Sequence, residues 1–238
     1  GLDSIDFKLT DQYADTTENQ AYLLERLLPM QGCVFPYRHI VPASQHNYQR
    51  TKLGIAKNAI VLGAFVTLMK LSPRCLALWR RVLEALPNAV LAFSPHNIET
   101  KAGYLQRLKA AGIAATRVVF IPPGKDEAHN QARYTLVDMV LDTLPFGGVN
   151  GTLEALDMGV PVVTLRGERH SERTGFSILT NLGVTATIAC NEQEYIDIAK
   201  RLANDQTFYA SVTDAIRRGL ADSPLANMDD HVRHLEEA

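Results

Sequence analysis

The pattern of apolar and polar positions changes character partway along the chain. Ile5 to Thr10 read as a short strand, and Glu18 to Leu28 place Leu23, Leu24, Leu27 and Leu28 at helical spacing, which predicts a helix. Pro29, Pro36 and Pro42 then interrupt any regular element. The polar stretch Ala43 to Lys52, rich in Ser, Gln and Asn, reads as an interdomain connection and puts a domain boundary near residue 55. From Ala59 strand and helix alternate. The predicted strands are Ala59 to Phe65, Ala89 to Phe93, Arg117 to Ile121, Met139 to Leu141 and Val160 to Leu165. Between and after them come helices from Ser72 and Pro73, an N-cap and first turn, to about Leu86, then Ile98 to Ala111, Asp126 to Tyr134, Gly151 to Met158, Arg173 to Leu182, Glu192 to Asn204 and Gln206 to Leu220. The consecutive apolar run Val118, Val119, Phe120 suits a strand covered on both faces. The fold class is α/β, a doubly wound, Rossmann-like parallel sheet, in which ligands bind beyond the carboxyl ends of the strands.

Composition narrows the partners. The chain has 238 residues, 46% hydrophobic, enough for one α/β core and an appendage. Lys and Arg number 24 against 26 Asp and Glu, so there is no basic surplus to hold a nucleic acid, and any anion site must be local. Three scattered cysteines, Cys33, Cys75 and Cys190, fit neither a disulfide framework nor a zinc site, and the expected compartment is the cytoplasm. No apolar run suits a membrane helix, and no signal peptide opens the chain. Gly1 stands where an initiator Met would, so the chain is read as a piece of a larger protein.

The chemistry concentrates in LDTLPFGGVNGTLEALDMGVP, Leu141 to Pro161. A strand ends at Asp142, a Gly-rich loop follows, and a helix starts near Asn150. Gly147, Gly148 and Gly151 let the backbone approach an anion, and the helix start favours negative charge by about 0.3 to 1 kcal/mol. A diphosphate suits that place. Glu154, one turn into the helix, either reaches the ribose hydroxyls of a nucleotide or complements the helix dipole. Asp142 is weighted toward capping the loop. Lys70, after the first strand of the regular region, and the run Pro122 to His129, after the third, are further anion-facing candidates. The charged run containing GERHSER supplies His170 and Arg173 as weaker ones. The first strand-turn, GAFVTLMK, lacks the GxGxxG of an NAD-binding domain, and no paired carboxylates or metal-spaced histidines accompany the Gly-rich loop.

The segments FIPPGKDEAH and LDTLPFGGVNGTLEALDMGVPVVTL, with FVTLMKLSPRCLALWRRVLEALPNAVL before them and GERHSERTGFSILTNLGV after, resemble the SPINDLY-like protein O-linked N-acetylglucosamine transferases. The resemblance covers about 180 residues from Ala59 in order and spacing, and LTDQYAD and FPYRHI extend it to the opening segment. It implies the carboxyl-terminal lobe of a two-lobed GT-B glycosyltransferase at residues 56–238, with residues 1–55 as the end of the amino-terminal catalytic lobe and its connection. It also implies inverting, metal-free transfer from a UDP-sugar, with UDP-N-acetylglucosamine the first choice, to a protein hydroxyl, with no separate cofactor. By position, the family lysine on the diphosphate falls on Lys70 and the histidine stacked on uracil on His129, with backbone contacts near Gly124. The ribose carboxylate falls on Glu154, where the usual residue is Asp. The helix-start contacts fall on Gly148, Asn150, Gly151 and Thr152. Eukaryotic members carry His-Thr-Thr here, in place of Val149-Asn150-Gly151, and bacterial relatives use a similar Gly-Gly-x-Asn loop. Two alternatives stay open: a UDP-glucose-dependent asparagine glucosyltransferase, and a noncatalytic nucleotide-binding domain.

Overall fold

The structure, a computed structural model, describes residues 2–38, 48–95, 98–222 and 225–238. Of the polar stretch read as a connection, residues 43–47 lie outside the described residues, as do His39, Ile40 and Pro42.

Six parallel strands form the main sheet: β3 (Ile60–Gly63), β4 (Ala89–Phe93), β5 (Val118–Phe120), β6 (Met139–Leu141), β7 (Val162–Leu165) and β8 (Ile188–Ala189), in the order β5-β4-β3-β6-β7-β8. The chain builds outward from β3 to β5, then returns to the other side of β3 with β6. The gap beyond the carboxyl ends of β3 and β6 is therefore the topological switch point, where open α/β sheets bind ligands. The doubly wound expectation holds. The crossovers are α1 (Pro73–Ala85), α2 (Lys101–Ala110), α3 (Glu127–Ala132), α4 (Asn150–Asp157) and α5 (His170–Asn181), and α6 (Glu192–Asn204), α7 (Gln206–Asp222) and α8 (Met228–Glu237) follow. Ser72 caps α1 by accepting from the Cys75 amide at 3.0 Å, and Pro73 occupies the first turn, where its missing N–H is not needed. One face of α1 buries Cys75, Leu76, Leu78, Trp79, Val82 and Leu83, the spacing that lays a helix on a sheet. Trp79, Phe93, Tyr104 and Phe120 contact one another in sequence and close the core behind β4. Full burial of such a side chain contributes about 1.5 to 3 kcal/mol.

The opening segment departs from expectation. Residues 18–28 form no α-helix: a 3-10 turn, Thr17–Tyr22, leads into strand β2 (Arg26–Met30), which pairs in parallel with β1 (Phe7–Asp11). Gln20 explains the switch, because its side-chain oxygen accepts from the Leu27 amide at 2.8 Å while its side-chain nitrogen donates to the Glu25 carbonyl at 2.9 Å. These bonds take the backbone groups a helix would have used, and the spaced leucines sit partly on the surface, Leu24 at 67% exposure. Strand β8 and helix α8 were not predicted. β8 is two residues long, below the length at which a periodic pattern shows.

Candidate functional site

Asp142 organises the Gly-rich loop. It lies at the end of β6 with its side chain buried, and Oδ1 accepts from the amides of Thr143 at 2.9 Å and Gly148 at 2.7 Å. Oδ2 accepts from the Thr164 hydroxyl at 2.8 Å. Burial pushes its carboxyl up, and the hydrogen bonds from Gly148, Thr164 and Thr143 oppose that. A carboxylate satisfied by loop amides is a clamp, as the sequence weighting of Asp142 toward structure expects. The loop has no room to spare: a Cβ on Gly148 would stand 2.7 Å from Thr152 Oγ1, and one on Gly147 would stand 2.6 Å from Thr174 Oγ1. The Gly147 amide donates to the Ser171 carbonyl at 2.7 Å, so the start of α5 holds the loop from the other side.

Helix α4 begins at Asn150 with no side-chain cap. Its first internal bond runs from the Leu153 amide to the Val149 carbonyl, which leaves the amides of Asn150, Gly151 and Thr152 at the positive end of the helix dipole. A cavity of about 300 Å³ opens there, lined by Phe65, Thr67, Lys70, Tyr134, Gly148 and Asn150 among others. Lys70 ends the short 3-10 turn after β3. Its ammonium donates to the Gly147 carbonyl at 2.9 Å and lies 4.4 Å from the centre of the exposed Phe146 ring. Burial lowers the Lys70 ammonium, and the charge of Asp142 opposes the shift. Lys70, Gly148, Asn150, Gly151 and Thr152 thus share one cavity. Among the described residues no three His, Cys, Asp or Glu side chains converge on a common point.

Glu154 stands beside this cavity, not in its lining. Its Oε2 accepts from the Tyr134 hydroxyl at 3.0 Å and faces the Arg133 guanidinium at 3.4 Å. Gly124 and His129 lie further along the sheet edge, after β5. Asp126 caps α3 by accepting from the His129 amide at 2.7 Å, and His129 Nδ1 accepts from the Lys125 amide at 3.2 Å. The Tyr48 ring lies 4.9 Å from the His129 ring at a 35° tilt. Gly124 is required by close approach, since a Cβ there would meet the Asn130 amide nitrogen at 2.5 Å. The two weaker candidates belong elsewhere: His170 Nδ1 is 2.7 Å from Asp15 Oδ2, and Arg173 donates to the carbonyls of Tyr13 at 2.8 Å and Gly167 at 3.0 Å. Both tie α5 to the opening segment. A larger cavity, about 660 Å³, is at the opposite end of β3, β4 and β5, lined by Leu53, Pro87, Arg117 and their neighbours. It holds none of the candidate residues, and the Arg117 guanidinium there is spent on the carbonyls of Ala89, Leu83 and Leu86.

Comparison with known proteins gives three findings. Residues 38–235 match the profile of glycosyl transferase family 41. SPINDLY of Eustoma exaltatum subsp. russellianum, named a probable UDP-N-acetylglucosamine–peptide N-acetylglucosaminyltransferase, is 30% identical over 239 residues, covering 99% of this chain and 26% of its own length. A solved structure, the K341M mutant of the Thermobaculum terrenum O-GlcNAc transferase, superposes with a TM-score of 0.85 at 29% identity, covering 99% of this chain and 44% of that one. The chain therefore spans about a quarter of the length of the curated relatives it matches, and its sheet and helices are those of a GT-B glycosyltransferase.

Proposed function

This chain belongs to glycosyl transferase family 41, and from that premise we propose that it forms the donor half-site of a protein glycosyltransferase. The donor is a UDP-sugar, with N-acetylglucosamine the first choice, and the acceptor is a protein hydroxyl. The observation that carries this reading is the uncapped start of α4 facing Lys70 across the Gly147–Gly148 loop. As the bond to the sugar breaks, negative charge grows on the leaving diphosphate. Fixed donors in place beforehand stabilise that charge without reorganising. Lys70 supplies a full positive charge, and the amides of Asn150, Gly151 and Thr152 supply the helix dipole, so in this proposal no metal ion or cofactor takes part.

Inversion follows from a single displacement, with the acceptor oxygen attacking the face of the sugar opposite the diphosphate. The acceptor site and the group that takes the hydroxyl proton belong, on this proposal, to the amino-terminal lobe, of which residues 1–55 are the end. His129 and Gly124 are assigned to the uracil and Glu154 to the ribose. Among the described residues no helix is long and apolar enough to cross a membrane. The thiols of Cys33, Cys75 and Cys190 are free, which fits a reducing compartment, and the cytoplasm is the proposed place of action.

Calorimetric titration of the chain with UDP, ADP and NAD tests the reading. Saturable binding of UDP in preference to the other two is expected. Preference for NAD, or no binding of UDP, overturns it.

A further inference from the structure

Arg133 and Tyr134 follow α3 and turn in opposite ways around the same carboxylate. Arg133 lines a cavity of about 250 Å³ at the carboxyl ends of β3 and β4, together with Phe65, Ser94 and Tyr104. Tyr134 lines the neighbouring cavity at the start of α4. Glu154 is where they meet: its Oε2 takes the Tyr134 hydroxyl at 3.0 Å and the Arg133 terminal nitrogen at 3.4 Å. The Tyr134 hydroxyl is also 3.2 Å from the Gly151 carbonyl, at the first turn of α4. Its single proton serves one acceptor at a time, and the charged one is the stronger. Burial first, and the Glu154 carboxylate next, push the Tyr134 phenol far up, so it stays a donor.

Arg133 is 8% exposed, and a buried guanidinium is costly unless it is paired. Its partners do not fill it. Among the described residues the only other acceptor is the Ser94 hydroxyl at 3.3 Å and Nε has no partner, while the rings of Phe65 and Tyr134 stand 4.8 and 5.5 Å from its centre. Such a cation contributes little to stability by itself. Its one charged partner among the described residues is Glu154. The carboxylate is thereby held by one oxygen only. Oε2 is tied down, whereas Oε1 has no protein partner among the described residues and the side chain remains 33% exposed.

We propose that Arg133 and Tyr134 are positioning residues that fix Glu154 with Oε1 presented to a ribose cis-diol, so that the site selects ribonucleotides over 2′-deoxyribonucleotides. The inference rests on the donor reading above and adds to it the residues that set sugar selectivity within the nucleotide. A carboxylate whose rotamer is fixed accepts from a hydroxyl without first losing side-chain freedom, and a ligand lacking that hydroxyl gains nothing from the arrangement.

The test is titration of UDP and 2′-deoxy-UDP into the chain and into Glu154→Gln, Tyr134→Phe, Arg133→Met and Arg133→Lys. The wild-type chain should prefer UDP by about tenfold or more, the scale of a hydrogen bond to a charged group. Glu154→Gln and Tyr134→Phe should reduce that ratio several-fold, with 2′-deoxy-UDP affinity changed less than twofold. Arg133→Lys should retain more of the ratio than Arg133→Met. Tyr134→Phe conserves the buried ring and carries the test if Arg133→Met does not fold. Binding of UDP with the ratio unchanged in Tyr134→Phe, or with both ligands weakened equally in all the variants, overturns the positioning role and leaves the donor site standing. Failure of the wild-type chain to bind UDP overturns the donor reading and the selectivity with it.

Discussion

Lys70 and Gly147 are joined by a hydrogen bond of 2.9 Å from the ammonium to the loop carbonyl, which draws the lysine to the lip of the cavity at the start of α4. A diphosphate there would compete with the Gly147 carbonyl for an ammonium that burial already disfavours in its charged form. Lys70→Ala should weaken UDP by about 1.5 to 3 kcal/mol, the range for a hydrogen bond to a charged group. Uridine, which lacks the phosphates, should bind almost unchanged. Lys70→Arg should recover only part, because a planar fork replaces a compact charge. If uridine weakens as much as UDP, or if magnesium added after EDTA strengthens UDP several-fold, Lys70 is not the group that neutralises the diphosphate.

The His129 ring, packed near Tyr48 at the end of β5, is proposed as the platform for the uracil. Stacking on a base is worth about 1 to 3 kcal/mol in single-strand binders. His129→Ala should weaken UDP roughly tenfold on that scale, and His129→Phe should keep much of the affinity. Equal loss in the two variants, measured by the same titration, points to a hydrogen bond in place of a stack.

Asp15 links the opening segment to α5 and gives the fold an acid-sensitive joint. Burial alone would raise its carboxyl, but hydrogen bonds from His170 at 2.7 Å, Lys8 at 2.9 Å and Thr10 at 2.7 Å outweigh burial and hold it well below the usual carboxylate range. Because the folded value is depressed, the contact stabilises fully above the unfolded carboxyl value of about 4 and is lost as pH falls toward the folded value. Asp15→Asn should lower unfolding free energy at neutral pH by about 1 to 3 kcal/mol. The gap between wild type and variant in urea denaturation should shrink below about pH 4. A gap constant down to about pH 2 contradicts the assignment.

The alternating half of the chain was legible because its strands and crossover helices each bury a continuous apolar pattern, as α1 does with Trp79 and Val82. The Gly-rich loop was legible for a different local reason, since a Cβ on Gly148 would stand 2.7 Å from Thr152 Oγ1, which leaves little choice of residue. Residues 18–28 were misread because their structure is decided by the Gln20 side chain and by pairing with β1, neither of which leaves a periodic mark. His170 and Arg173 carried charge in the right neighbourhood, yet they face residues more than 150 positions away, Asp15 and Tyr13. Arg133 and Tyr134 went unnoticed. The signal available was an arginine and an aromatic side by side between a helix and a buried strand, where a charged side chain needs a partner.

The central claim is that a UDP diphosphate sits at the start of α4 beside Lys70, and the crystal structure of the chain with UDP measures this directly. Diphosphate oxygens are expected within about 3 Å of Lys70 Nζ and of at least one amide among Asn150, Gly151 and Thr152. The ribose is expected beside Glu154 and the uracil near His129. UDP bound instead in the larger cavity between Leu53 and Arg117, or bound at the switch point with its phosphates turned away from α4, would contradict it.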